Sequence, residues 1–328
     1  MKKLLFLNLL FTLFVTSVLV ALASNSKTDS AGPAAPNPSA QSMPLVVGAA
    51  ISTTIFFPLI MHNYPIVFVG AGDIGSCDTF GDEATANLLD QINGTVFTLG
   101  DNVYNSGTTS EFNNCYHPAW GRHKARTYPA PGNHDYVTLN AAAYYNYFGA
   151  VAGNSATGYY SYDLGDWHLI VINSNCSSIG GCEAGSAQEQ WLRSDLAAHP
   201  ALCTLAYWHH PRFSSGLHGD SLEMQPIWQV LYDYEADVVL NGHDHDYERF
   251  ALQDPTGVAD SAHGLREFVV GTGGRSHYAW QTIKANSEVR NNDTFGVLKL
   301  NLHLTGYDWE FIPEPGKTFT DAGSTDCH

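Results

Sequence analysis

Basic residues are scarce in this 328-residue chain: 15 Lys and Arg stand against 32 Asp and Glu, a formal net charge of −17. No Lys/Arg run occurs anywhere, which argues against a protein that grips a nucleic-acid backbone, because that affinity rests on clustered cations. CxxC is also absent, so the six scattered cysteines do not read as a thiolate metal site. Neither a G-x-S-x-G elbow nor a Walker-type loop is present, which removes the usual serine nucleophile and the usual nucleotide cradle. No internal repeat and no second domain boundary follow Pro65.

The first residues do carry a signal. Met1-Lys2-Lys3 precedes an apolar run from Leu4 to Leu22, and Ala21-Leu22-Ala23 precedes Ser24. This reads as a secretory signal peptide over residues 1–23, cleaved after Ala23, and places the protein outside the cytoplasm. An uncleaved anchor is the competing reading, since the run is long enough to span a bilayer. Without Lys2 and Lys3, 13 basic residues face 32 acidic ones, a net charge near −19. Residues 24–64 read as a linker and N-terminal extension. They are Ser-, Ala- and Pro-rich to about Pro44, and then apolar from Leu45 to Ile60 with Gly48 and Pro58 interrupting any helix. Export makes disulfides the expected fate of the cysteines. Cys176–Cys182 is the favoured pair, closing a short glycine-containing loop, and Cys77 with Cys115 would tie two neighbouring loops together.

From residue 65 onward strand-like and helix-like segments alternate, and the last third is strand-rich. The pattern predicts one α/β (α+β) domain over 65–328, built as two packed mixed sheets flanked by helices. Tyr159–Leu164 and His168–Asn173 read as a hairpin turning at Gly165-Asp166. Five polar clusters stand where apolar runs end: Gly-Asp73-Ile-Gly, Gly-Asp101-Asn-Val-Tyr104, Gly-Asn133-His134-Asp, Trp-His209-His210-Pro and Gly-His243-Asp-His245. Taken singly, a Gly-Asp or Gly-Asn is often only a turn. Five in this order, bringing carboxylate, amide, phenol and imidazole donors to one sheet edge, point to a metal site, with two metals expected.

These motifs resemble the calcineurin-like metallophosphoesterases, and more closely the purple acid phosphatases. The family pattern D-x-G, G-D-x-x-Y, G-N-H-[DE], V-x-x-H and G-H-x-H is matched fully in four of five elements, over roughly Pro65 to Ile312. The exception is the fourth, Ala206-Tyr-Trp-His209, where His210 lies beside the expected ligand. The H-x-P register favours His209, and in a strand the two rings would point to opposite faces. Tyr104 is the discriminating element. The resemblance implies that Asp73, Asp101, Tyr104 and His245 hold Fe(III), and that Asp101, Asn133, His209 and His243 hold a divalent Fe, Zn or Mn, with Asp101 bridging. It further implies that His134 and His218 contact the substrate phosphate. Tyr247 and Arg249 are expected to orient the last loop, and Arg275, His277 and Tyr278 to rim the pocket.

The implied activity is that of a secreted acid phosphatase in which metal-bound hydroxide attacks a small phosphate monoester. A phosphodiesterase acting on nucleotides or phospholipid head groups with the same metals is the first alternative. An exported binding protein that keeps the fold without catalysis is the second. Substrate, oligomeric state and the choice of divalent metal are not encoded in the motifs.

Overall fold

The computed structural model describes residues 65–328. The leader, the linker and the apolar stretch Leu45–Ile60 lie outside the described residues. No described helix is long and apolar enough to cross a membrane.

Two mixed sheets form the frame. The first has six strands in the order Ala322–Asp326, Gly306–Pro313, Gly296–Leu302, Ile66–Ala71, Thr95–Leu99 and Thr127–Ala130. The second has seven: Ser287–Asn291, Tyr247–Phe250, Arg266–Val270, Val238–Asn241, Cys203–Tyr207, Trp167–Val171 and Tyr160–Leu164. The three strands Ile66–Ala71, Thr95–Leu99 and Thr127–Ala130 run parallel to one another. So do Trp167–Val171, Cys203–Tyr207, Val238–Asn241 and Arg266–Val270 in the second sheet. Parallel central strands are covered on both faces, which is why they read as continuous apolar runs such as IVFVGA and CTLAY. Along Cys203–Tyr207, Leu205 and Tyr207 face the other sheet, where Tyr207 packs 5.9 Å from the Phe68 ring. Ala206 and Trp208 face instead the helices Ala187–Ala198 and Gln225–Asp233.

The hairpin forms as expected, Leu164 pairing with Trp167 across the two-residue turn. Two strands of these sheets were not legible in the sequence, Ser287–Asn291 and Ala322–Asp326. Both are polar edge strands, half or fully exposed on the faces that elsewhere show an apolar alternation. The disulfides are Cys77–Cys115, Cys176–Cys182 and Cys203–Cys327, with Cα separations of 5.0, 5.2 and 5.5 Å. They fit an extracytoplasmic setting. Tyr247 and Arg249 do not orient the His243–His245 loop. Both bond Asp321 near the C-terminus, because their strand turns those side chains toward the last edge of the fold.

One ion pair away from the candidate site sets a pH dependence. The buried His168 ring meets Asp163 Oδ1 through Nδ1 and Asp195 Oδ2 through Nε2, each at 2.9 Å. Burial works against the charged ring, yet the two carboxylates raise its pKa above the usual value. Burial likewise disfavours the Asp195 carboxylate, but the bonds from His168 and Ser161 lower its pKa. The histidine contribution is complete below its unfolded pKa of about 6.5 and fades as pH rises through the raised value. The Asp195 contribution is complete above about 4 and fades as pH falls through the lowered value. His168→Gln should therefore destabilise most between about pH 4 and 6.5, and less at pH 8.5. Urea midpoints of both proteins at pH 5.5 and 8.5 check this, and an equal loss at both would exclude the pair as its source.

Candidate metal centre

Parallel strands of the two sheets end side by side, and each is followed by one motif. Asp73 follows Ile66–Ala71, Asp101 and Tyr104 follow Thr95–Leu99, and Asn133 and His134 follow Thr127–Ala130. From the second sheet come His209 after Cys203–Tyr207, and His243 and His245 after Val238–Asn241. The Gly72 N–H donates to Val270 O at 2.9 Å, which stitches the two edges together. Asp73, Asp101 and His243 hold left-handed backbones, with φ of 59°, 48° and 73°. Such conformations cost on the order of 1–3 kcal/mol each in non-glycine residues and cluster at functional sites. The glycines of the motifs are there for close approach: a Cβ on Gly132 would lie 2.2 Å from Asp101 Oδ1, and one on Gly100 2.6 Å from His209 Nδ1.

The seven candidate donors form one connected cluster. The Tyr104 hydroxyl lies 2.6 Å from Asp73 Oδ1, 2.9 Å from Asp101 Oδ2 and 3.1 Å from His245 Nε2. His245 Nε2 is 3.3 Å from Asp73 Oδ1, and His209 Nε2 is 3.3 Å from Asp101 Oδ2. His209 Nε2 also lies 3.0 Å from Asn133 Oδ1 and 3.2 Å from His243 Nδ1. Asp101 thus stands between an oxygen-rich group (Asp73, Tyr104) and a nitrogen-rich one (His209, His243).

The electrostatics show what this cluster lacks. Burial foremost, then the Asp101 and Asp73 carboxylates, push the Tyr104 phenol well above its usual range. Burial disfavours a charged His209, but Asp101 beside it raises the ring to about 9. Asp101 is held well below the carboxylate range, His209 outweighing burial. His243 is depressed, first by burial and then by His209, His210 and His218. One phenolic proton serves two carboxylates. When His209 Nδ1 donates to Leu99 O at 2.8 Å, a neutral ring turns a bare Nε2 toward the oxygen of Asn133. Unpaired lone pairs this close call for cations, and bound metals would displace the proton that Asp101 keeps on His209. Carboxylate and phenolate oxygens suit a hard trivalent ion, and imidazole with amide and carboxylate suits a divalent one.

A family model described as calcineurin-like phosphoesterase matches residues 66–247, more than half of the chain and all five motifs. The chain belongs to the calcineurin-like phosphoesterase family. Among curated relatives, purple acid phosphatase 15 of Arabidopsis thaliana is 28% identical over 225 residues, covering 57% of this chain and 41% of that protein. Purple acid phosphatase 13 of the same plant is 29% identical over 231 residues, covering 62% and 40%. The chain spans less than half the length of these relatives. Among solved structures, purple acid phosphatase PPD1 from yellow lupin seeds superposes with a TM-score of 0.63 at 18% identity, over 80% of this chain and 53% of that one. Plasmodium GAP50, described as the anchor in the inner membrane complex, gives 0.62 at 16% identity, over 81% and 90%. At these identities the structures show the shared fold.

In this calcineurin-like phosphoesterase the expected histidines gather at the same place. The His134 N–H donates to Asp101 Oδ1 at 2.7 Å, its Nδ1 meets Asn105 O at 2.6 Å, and its Nε2 lies 3.9 Å from Asp101 Oδ2. The exposed His218 ring packs 4.3 Å from His243. His209 and His210 do not point to opposite faces. The strand ends at Tyr207, so both lie in the following loop, their rings 4.9 Å apart and at 80°. His209 enters the acidic cluster, whereas His210 is held by Ser174 Oγ at 2.8 Å and rests 4.4 Å from the His243 ring. At the rim, Tyr278 stacks on His245 at 4.0 Å and Arg275 lies over the Tyr104 ring. His277 instead stacks on Phe295, its ring 4.2 Å from that side chain. Two residues escaped sequence reasoning. Ser276 Oγ sits 2.8 Å from His245 Nδ1, and the buried Asp135 accepts from the backbone N–H groups of Asn102 and Gly132. Asp135 had a signal, since it closes the G-N-H-D motif; Ser276 had none.

Proposed function

We propose that this chain is a secreted acid phosphatase of the purple acid phosphatase type, hydrolysing small phosphate monoesters at a two-metal site. The observation that carries the proposal is Tyr104, whose phenol oxygen is set between Asp73, Asp101 and His245. On this reading Asp73, Asp101, Tyr104 and His245 hold Fe(III), while Asp101, Asn133, His209 and His243 hold a divalent Fe, Zn or Mn. Bound there, the pair supplies positive charge to a phosphoryl group and acidifies water. The residues of the chain do the rest. Leu99 O fixes the His209 tautomer, and Ser276 fixes the His245 ring. Asn105 O holds His134 by Nδ1, which leaves Nε2 to face the phosphoryl oxygens. His218, open to solvent and 4.3 Å from the His243 ring, would on this reading donate a proton to the departing alkoxide.

The same fold serves an anchor protein in Plasmodium, so the fold alone does not select catalysis; the complete donor set supports it. Metal analysis with a visible spectrum tests the reading. The purified protein should carry two metals per chain and a broad visible band, and Tyr104→Phe should abolish the band while the fold persists. A colourless, iron-free protein that releases phosphate would overturn the purple-phosphatase type and leave the wider family. Turnover of an aryl monoester against a bis-aryl diester separates the two ester classes, and a metal-replete protein inert to both would favour a binding role.

A further inference from the structure

The loop that carries His218 has an unusual means of support. Residues 212–219 contain no helix or strand, yet five of their backbone N–H groups are taken up by buried carboxylates of the second sheet and its loops. Glu267 accepts from the Arg212 and Phe213 N–H groups at 3.0 and 3.2 Å. Glu248 accepts from Ser215 N–H at 2.7 Å. Asp244, fully buried, accepts from His218 N–H through Oδ1 at 2.8 Å, from Gly219 N–H through Oδ2 at 3.3 Å, and from the Ser214 hydroxyl. The Ser214 oxygen in turn accepts from Gly216 N–H at 2.9 Å. A Cβ on Gly216 would meet Asp244 Cγ at 2.4 Å, so the loop lies directly on the carboxylate.

Asp244 is the member of this set that reaches the site. It occupies the variable position of the G-H-x-H motif, between two of the proposed metal donors. Its side chain makes all its bonds to the loop and none to His243 or His245. We propose that Asp244 is a positioning residue for His218: it latches the His218 backbone to the motif that holds the metals, so the ring is fixed before substrate arrives. The inference rests on the role given to His218 above. Two backbone N–H groups and one hydroxyl on one carboxylate fix where the residue 218 side chain begins. The His218 ring is then bracketed by His243 at 4.3 Å and Tyr278 at 5.4 Å. The far side of the loop is pinned as well, by Lys284 Nζ to Asp220 at 2.9 Å and Gln281 N–H to Ser215 O at 3.0 Å. Placement of this kind matters because an acid displaced by about 1 Å loses on the order of a hundredfold in rate.

Asp244→Asn keeps the shape but turns an NH2 toward donors, and it tests the latch in the full chain by two independent readouts. Amide hydrogen exchange at His218 and Gly219 should accelerate at least about tenfold, with exchange in Val238–Asn241 unchanged. Bound metal should match the wild type, and kcat for p-nitrophenyl phosphate should fall about tenfold to a hundredfold. Combined with His218→Ala, Asp244→Asn should cost no more than a further twofold. Unaltered exchange, lost metal, or an undiminished effect in the His218→Ala background would each overturn the proposal. Ser214→Ala, which removes only the bridging hydroxyl, should show the same exchange change more weakly and decides the matter if Asp244→Asn does not fold. A wild type that hydrolyses no ester defeats the phosphatase reading, and the exchange result then decides the latch by itself.

Discussion

Asp101→Asn is expected to lower phosphate release by on the order of 10³-fold or more, since metals in such sites supply several kcal/mol of charge stabilisation. The carboxylate faces both halves of the cluster: its Oδ2 meets the Tyr104 hydroxyl at 2.9 Å and His209 Nε2 at 3.3 Å. Asparagine tolerates the left-handed backbone at this position, where φ is 48°, so the loop should keep its path. What is lost is the negative charge shared between the two groups of donors. Metal content should fall below two per chain, and the metal-free protein should lose some thermal stability as the buried Asp101–His209 pair is broken. Elemental analysis beside p-nitrophenyl phosphate turnover measures both; full metal content with activity within tenfold of wild type would remove Asp101 from the bridging role.

Replacing Cys203 and Cys327 together by serine should destabilise the fold by about 5 kcal/mol, from the chain entropy of a loop whose ends are 124 residues apart. For a domain of this size that corresponds to a fall in Tm of roughly 10 °C. The position amplifies the interest of the bond. Cys203 opens the central strand whose far end leads to His209, and Cys327 follows the edge strand Ala322–Asp326, so the bridge ties the last residues of the chain to the second sheet. Opening Cys176–Cys182, which are six residues apart, should cost only about 2 kcal/mol on the same reasoning. Differential scanning of the two double-serine variants ranks them. A Tm for the Cys203/Cys327 variant within two degrees of wild type would show that other contacts already hold the C-terminus.

The central strands and the order of the candidate donors could be read without coordinates because both obey short-range rules. A strand buried on both faces is an apolar run, and each such run here ends in its own polar motif. Ser287–Asn291 and Ala322–Asp326 obey no such rule: at sheet edges a polar strand gains its order from its neighbour, and SEVRN and AGSTD carry no alternation to see. The Cys203–Cys327 pairing was equally hidden, since spacing gives no guide over such a distance. Among site residues, Ser276 and the contacts of Asp244 were invisible for one physical reason. They act on residues from loops that meet only after the sheets pack, 31 residues away for Ser276 on His245 and 26 for Asp244 on His218. The adjacent His209 and His210 show the opposite limit. Sequence register favoured the first, but the geometry of two rings beyond a strand end is set by Ser174 and Asp101, neither of which is local.

The division of donors between the sheets has a consequence for how the protein is made. Every oxygen donor, from Asp73 to Asn133, belongs to the first half of the chain, and every imidazole of the ligand set, from His209 to His245, to the second. A nascent chain emerging from its N-terminus displays the carboxylates and the phenol long before any nitrogen ligand exists to complete either site. If these donors hold the metals as proposed, capture is reserved for a late moment of biosynthesis, once the final imidazole has been added and the two halves have closed on each other.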